Sequence, residues 1–261
     1  MKHLRSGMPG LLALAAACLI ASPAMAQTPG GARAQAPDAV PELPASDLLL
    51  RYEAPELHFR WSLAPEATLE PALVQSLRTE ALTTRERAIR EAQAGQQAQK
   101  DSGRDTPLQY EWIESWEPEA ETDLLLAFSA EEYSFTGGAH GNLALKAVIW
   151  DRGAGRRIGF DELFADARAM QAVLKPQFCR ALDDERRRRR GGQLGDSFTE
   201  CPDPAAYPTV PVGDGEIHAI RVLVPPYEAG PWAEGSYEIL LDTSTVLPFL
   251  QQRYRLAFTS P

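Results

Sequence analysis

Little in this chain announces chemistry. It holds three cysteines and four histidines, and past residue 26 no segment approaches the roughly 20 apolar residues that a membrane-spanning helix needs. His58, His140 and His218 stand far apart. No HExxH pair, no CxxC pair and no compact His/Asp cluster occurs, so no recognisable metal site is expected, and no cofactor. Rossmann and P-loop glycine patterns are missing, as are internal repeats. Gly195-Asp196-Ser197 lies in a polar stretch without a nucleophile-elbow context. The adjacent acids Glu131-Glu132 and Asp161-Glu162 would point to opposite faces of a strand, so neither pair alone can share a substrate.

Basic charge is also in deficit. The formal charge is −10, and removing residues 1–26, which carry Lys2 and Arg5 and no acid, takes it to −12. Such a chain repels nucleic acid and anionic lipid and favours basic partners. The exception is Arg186 to Arg190, five arginines in a row, which the sequence reads as the solvated C-terminal end of a helix rather than a binding patch.

What is present begins with a leader. Lys2 and Arg5 precede the apolar run Leu11 to Ile20, and Ala24-Met25-Ala26 offers small residues for cleavage. Residues 1–26 therefore read as a secretory signal peptide, and the mature chain as periplasmic or secreted. A lipoprotein anchored through Cys18 is the minor alternative, weakened because AAAC lacks the usual aliphatic residue three before the cysteine. Cys179 and Cys201 then remain, an even count that in an oxidising compartment reads as one disulfide, with two free thiols the open alternative. Closing 22 residues would be worth on the order of 3 kcal/mol.

Residues 27–55 are rich in Ala, Pro and Gly and read as a disordered tether. Residues 56–261 suffice for one domain, laid out as two closely packed halves of about 56–150 and 151–261. LHFRWSL (57–63) alternates as a strand, and Pro65 and Pro71 bracket the entry to a helix reaching about Ala98 with a stripe of Leu69, Leu73, Leu77, Leu82 and Ile89. Strands follow at 108–119, 123–138 and 142–151, a short helical turn at 160–164, and a longer helix interrupted or kinked at Pro176. Two more strands (216–224 and 236–242) and a short helix over 243–252, capped by Thr243 or Ser244, close the chain. The order β-α-β-β-β-α-β-β-α with tight connections predicts an α+β fold, an antiparallel sheet with helices packed on one face.

Three motifs stand out. Thr136-Gly137-Gly138-Ala139-His140-Gly141-Asn142 falls between two strands, Asp151 leads through Gly155 and Arg156 to Glu162-Leu163-Phe164, and Pro226-Tyr227-Glu228 is followed by Pro231, Trp232 and Gly235. In this order, over roughly residues 57–250, the chain resembles the exported domain family found in the extracellular part of RsiV-type anti-sigma factors and ahead of the catalytic domain of PdaC-type peptidoglycan deacetylases. Trp232 stands where a tyrosine is common in that family. The resemblance implies an α+β fold, and for the RsiV-type members a lysozyme-sensing role.

The sequence reading is therefore a non-enzymatic cell-envelope binding module. Its partner would be a basic protein such as lysozyme, or peptidoglycan; the oligomeric state stays open. The candidate binding residues are Gly137, Gly138, His140, Gly141, Tyr227, Glu228 and Trp232, although the glycines and rings would serve equally as scaffold. An envelope polymer hydrolase using His140 and a carboxylate such as Glu228 is the alternative.

Overall fold

A computed structural model describes residues 45–259 except 104, 105 and 107. The expected signal peptide, Cys18 and most of the expected tether lie outside the described residues. Strand β1 (Leu49–Ala54) pairs with β2 (Leu57–Leu63), so residues 49–54, assigned to the tether by composition, are ordered sheet. Leu50 supplies the reason, since it is buried in the same core as β2.

Helix α1 (Pro71–Asp101) starts with Pro71 in its first turn, where the missing N–H costs nothing. Its buried stripe is Leu73, Val74, Leu77, Ala81, Ala88 and Ala92. Leu69 falls outside it, in the preceding turn and 45% exposed. Strands β3 (Tyr110–Glu121), β4 (Leu125–Phe135), β5 (Asn142–Asp151) and β6 (Arg156–Ile158) follow, then α2 (Ala167–Arg189), β7 (Thr209–Asp214), β8 (Glu216–Val224) and β9 (Tyr237–Asp242). Helix α2 is not interrupted at Pro176. The expected terminal helix is replaced by two 3-10 turns, Leu247–Phe249 and Gln252–Ala257. Thr243 does not cap it; its hydroxyl donates to the carbonyls of His218 and Thr259.

One nine-stranded sheet runs β6-β5-β4-β3-β7-β8-β9, with β1 and β2 branching from β3. The fold is α+β and mostly antiparallel, with two exceptions to the expected pairing: β2 and β7 each lie parallel to β3. Strand β3 changes partner along its length. Tyr110 to Trp116 face β2, while Ala120 and Glu121 face β7. The change occurs at Pro118, beside a register shift against β4, where a residue lacking an N–H interrupts the ladder at least cost. The helix crossover α1 makes the parallel β2–β3 pair possible.

The helices occupy opposite faces of the sheet rather than one. In β4, Leu126, Phe128 and Ala130 join the core containing the α1 stripe, whereas Leu125 and Ala127 join the one containing Met170, Leu174, Phe178 and Leu182 of α2. Alternate residues of a strand point to opposite faces, so burial on both sides explains the unbroken apolar run. Cys179 on α2 and Cys201 form the disulfide, with Cα atoms 5.5 Å apart.

The second motif is a hairpin between β5 and β6. Gly155, at φ 61°, donates its N–H to Asp151 O, and Asp151 Oδ1 accepts from Ala154 N–H at 2.9 Å. Its Oδ2 accepts from the Tyr254 hydroxyl at 2.6 Å, with Arg253 3.2 Å away. Burial opposes the charge on Asp151, but these donors and Arg253 outweigh it and hold its pKa below the ordinary carboxylate value. The bond to Tyr254 ties the hairpin to the end of the chain. Asp151→Asn is expected to cost about 1–3 kcal/mol in urea unfolding. A depressed carboxylate stabilises above its unfolded pKa of about 3.9, and that share vanishes as pH falls through the lower folded pKa. The wild-type stability should therefore drop more steeply in acid than that of Asp151→Asn; parallel curves would contradict this role.

Candidate functional site

Between β4 and β5 the chain turns through Gly137 and Gly138, at φ 110° and 105°, backbone angles that a side chain would strain. Gly141 is glycine for room: a Cβ there would lie 2.4 Å from the Tyr133 ring. His140 is held exposed between them. Its Nδ1 lies 2.7 Å from Gly141 O, and a carbonyl can only accept, so in the neutral ring Nδ1 carries the proton. That leaves Nε2 as an acceptor, met at 3.2 Å by the hydroxyl of Tyr227.

Tyr227 arrives from the connection between β8 and β9. It has φ 72°, a left-handed conformation rare for an aromatic residue, closed by its N–H donating to Gly230 O. Five residues on, Trp232 stacks on His140 with ring centroids 4.3 Å apart and planes 15° apart, and 6.0 Å from the Tyr227 ring. Two of the sequence motifs, 87 residues apart, thus meet in one cluster: His140, Tyr227 and Trp232. Trp232 is half-buried, and Tyr227 keeps 54% of its surface exposed.

Glu228 does not join them. It accepts from the Tyr207 hydroxyl at 2.9 Å, and burial together with that carboxylate pushes the Tyr207 pKa well up. His140 therefore has a backbone carbonyl and a phenol as its hydrogen-bond partners, not an acid. Of the two acid pairs, Glu132 binds Lys146 and Glu162 binds Arg156. Among the described residues no group of three His, Cys, Asp or Glu is placed to hold a metal ion, and no helix is long and apolar enough to cross a membrane.

The arginine run holds the aromatic connection in place, contrary to its reading as a solvated helix end. Arg186 has no exposed surface; it donates to Ala229 O at 3.0 Å and Glu200 O at 2.9 Å, and pairs with Asp183. Arg189 donates to Glu234 O and Ser236 O and lies 3.9 Å over the Tyr237 ring. Arg190 grips the Glu234 carboxylate through two nitrogens at 2.9 and 3.0 Å, and chiefly this holds that carboxylate below its usual pKa. Only Arg187 and Arg188 face outward, paired with Asp184 and Glu185.

The sequence reading also missed a polar cluster on the sheet. Lys146 Nζ sits 2.6 Å from Glu114 and 2.5 Å from Glu132, and Trp116 Nε1 donates to Glu114. Glu114 is 5% exposed, and burial raises its pKa against the pull of Lys146. For Lys146, burial acts downward but the two carboxylates prevail and raise its pKa.

A family model described as deacetylase PdaC matches residues 63–143, the stretch that carries α1, β3, β4 and the glycine turn. Among solved structures, a DUF3298 family protein from Pseudomonas aeruginosa PAO1 is similar at 14% identity and TM-score 0.42, over 58% of this chain and 66% of that one. This chain thus spans just under two thirds of its length. A DUF3298 family member from Bacteroides fragilis NCTC 9343 is similar at 17% identity and TM-score 0.46, over 71% of this chain and 72% of that one. The comparison with curated proteins returns no match.

Replacing Arg186 tests the support of the cluster. Lysine keeps the charge but not the fork, so carbonyls of Ala229 and Glu200 lose donors. Arg186→Lys should cost about 2–4 kcal/mol and speed amide exchange through residues 228–236; an unchanged urea midpoint would remove its structural role.

Proposed function

We propose that this chain is a non-enzymatic, exported binding module of the cell envelope whose partner docks on the His140–Tyr227–Trp232 cluster. The observation that carries the reading is Tyr227, an aromatic ring fixed on a left-handed backbone and left more than half exposed. Left-handed residues other than glycine cost about 1–2 kcal/mol and concentrate at functional sites. Amphipathic rings held rigidly are effective binding anchors because little rotamer freedom is lost on contact.

The partner class follows from charge and shape. A chain of −12 after removal of its leader attracts basic proteins, which favours a lysozyme-like protein, with peptidoglycan fragments the other candidate. The resemblance to RsiV-type sensing domains points the same way. The deacetylase named by the matching family is not carried over. Residues 63–143 hold one histidine, His140, and both of its nitrogens are engaged by Gly141 and Tyr227.

Titration of the mature chain with lysozyme, and separately with muropeptides, tests the reading at low and high salt. Saturable binding to one of them is expected, weakened by salt if the partner is lysozyme. Tyr227→Gly should lower affinity by about tenfold or more while leaving stability within ~1 kcal/mol of wild type, since glycine relieves the backbone. Undiminished binding by folded Tyr227→Gly and Trp232→Ala would move the site elsewhere, and silence toward both probes would end the proposal.

A further inference from the structure

Strand β5 is ten residues long, but β6 covers only Ile149 to Asp151 of its outer edge before Phe160 turns away into a 3-10 segment. From Asn142 to Val148 no strand among the described residues pairs with that edge. A cleft of about 590 Å³ runs along it, lined by five consecutive β5 residues, Leu145 to Ile149. Consecutive residues of a strand point to opposite faces, so one cleft touching all of them lies along the edge itself. Unpaired N–H and C=O groups there form a template for another strand.

We propose that this groove takes an extended peptide as an added strand, continuing the row that β6 begins. Exposed edges are commonly guarded by an outward lysine. The one charged residue of 142–148, Lys146, instead reaches Glu114 and Glu132. Besides β5, the groove is lined by Glu80, Arg157, Gly159, Tyr207 and Thr209.

The lining also sets what the peptide carries. Ile149, Ile158 and Phe160 border one face, which favours apolar residues at every second position. On the other face Arg157 spends one nitrogen on Glu80, at 2.5 Å, while its Nε and Nη2, covered by protein, have no hydrogen-bond partner, so a peptide oxygen meets them once the side chain turns into the groove. Those two N–H groups form one edge of the guanidinium fork and match a carboxylate or amide oxygen. Gln171 Oε1, also bordering the groove and without a partner, calls for a donor. The expected ligand alternates apolar residues with an acidic or amide residue facing Arg157. The lining of this cleft includes none of His140, Tyr227 and Trp232.

The test selects a displayed library of random peptides against the full chain, then synthesises the enriched sequence. Those amides of Asn142 to Val148 that do not donate to β4 should exchange fast in the free protein and slowly in the complex. N-methyl groups on alternate residues of the peptide then probe the edge. Methylation in one phase should weaken binding by about tenfold or more through lost backbone hydrogen bonds, and in the other phase should be tolerated. Arg157→Gln should relax selection for the acidic residue. The proposal is overturned by failure to enrich any peptide, by protection at a different edge, or by equal tolerance of both methylation phases. It is equally overturned if the outward amides of 142–148, those not donating to β4, are already protected in the free protein, which would show the edge covered by this chain or a second copy.

Discussion

A guanidinium with no exposed surface sits under the connection that carries Tyr227 and Trp232, and the arrangement of the aromatic cluster follows from it. Taking such an ion out of water costs several kcal/mol unless its donors are matched. Arg186 matches them with the carbonyls of Ala229 and Glu200 and the carboxylate of Asp183. Those carbonyls belong to stretches that have no ladder of their own, and that of fully buried Ala229 needs a partner as much as the ion does. The requirement is mutual, which is why one side chain can fix two loops. Cys201, one residue past Glu200, is tied to the same helix through Cys179, so the loop is clamped twice from α2.

From that clamp the dependence runs outward. Arg189 and Arg190 hold Glu234 and Ser236, and Trp232 lies within the turn so fixed. Its indole then supports the His140 ring, which comes from the other part of the chain. The cluster is built where the β8–β9 connection, anchored on α2, meets the β4–β5 turn. Neither motif makes the surface alone. Strand β4, buried against both cores, is the rigid element that lets the turn at its end be positioned from either side.

Much of this was legible. The strands 57–63, 142–151 and 216–224 were marked by alternation or by apolar runs between turn formers; GGAHG and the Tyr227–Trp232 connection were each singled out, but nothing in the sequence placed the two together. What was not legible has physical causes. Strand β7 contains Pro211 and Gly213, which argue against a strand in isolation, and β6 is three residues long. The parallel pairs depend on which edge of β3 is free on each side of Pro118, a tertiary fact. The buried arginine did leave a signal. Met170, Leu174, Phe178 and Leu182 step by four along α2, and the next step is Arg186. A run of five like charges hid it, because composition suggested a solvated end while periodicity placed one member inside.

The energetics of Tyr227 separate scaffold from surface more sharply than its position does. Its left-handed backbone costs about 1–2 kcal/mol that glycine would not incur. Against this, the bond from its hydroxyl to His140 is exposed to water and 3.2 Å long, a contact worth at most about 1 kcal/mol. The ring is more than half exposed, so its burial is only partial. The fold therefore gains little from a tyrosine at this point. Trp232 already packs against His140, and Gly230 already closes the turn by accepting the Tyr227 N–H, a bond that any residue could make. A side chain whose internal contacts barely offset its backbone cost is not accounted for by the fold alone, and the ring is exposed where two of the motifs converge.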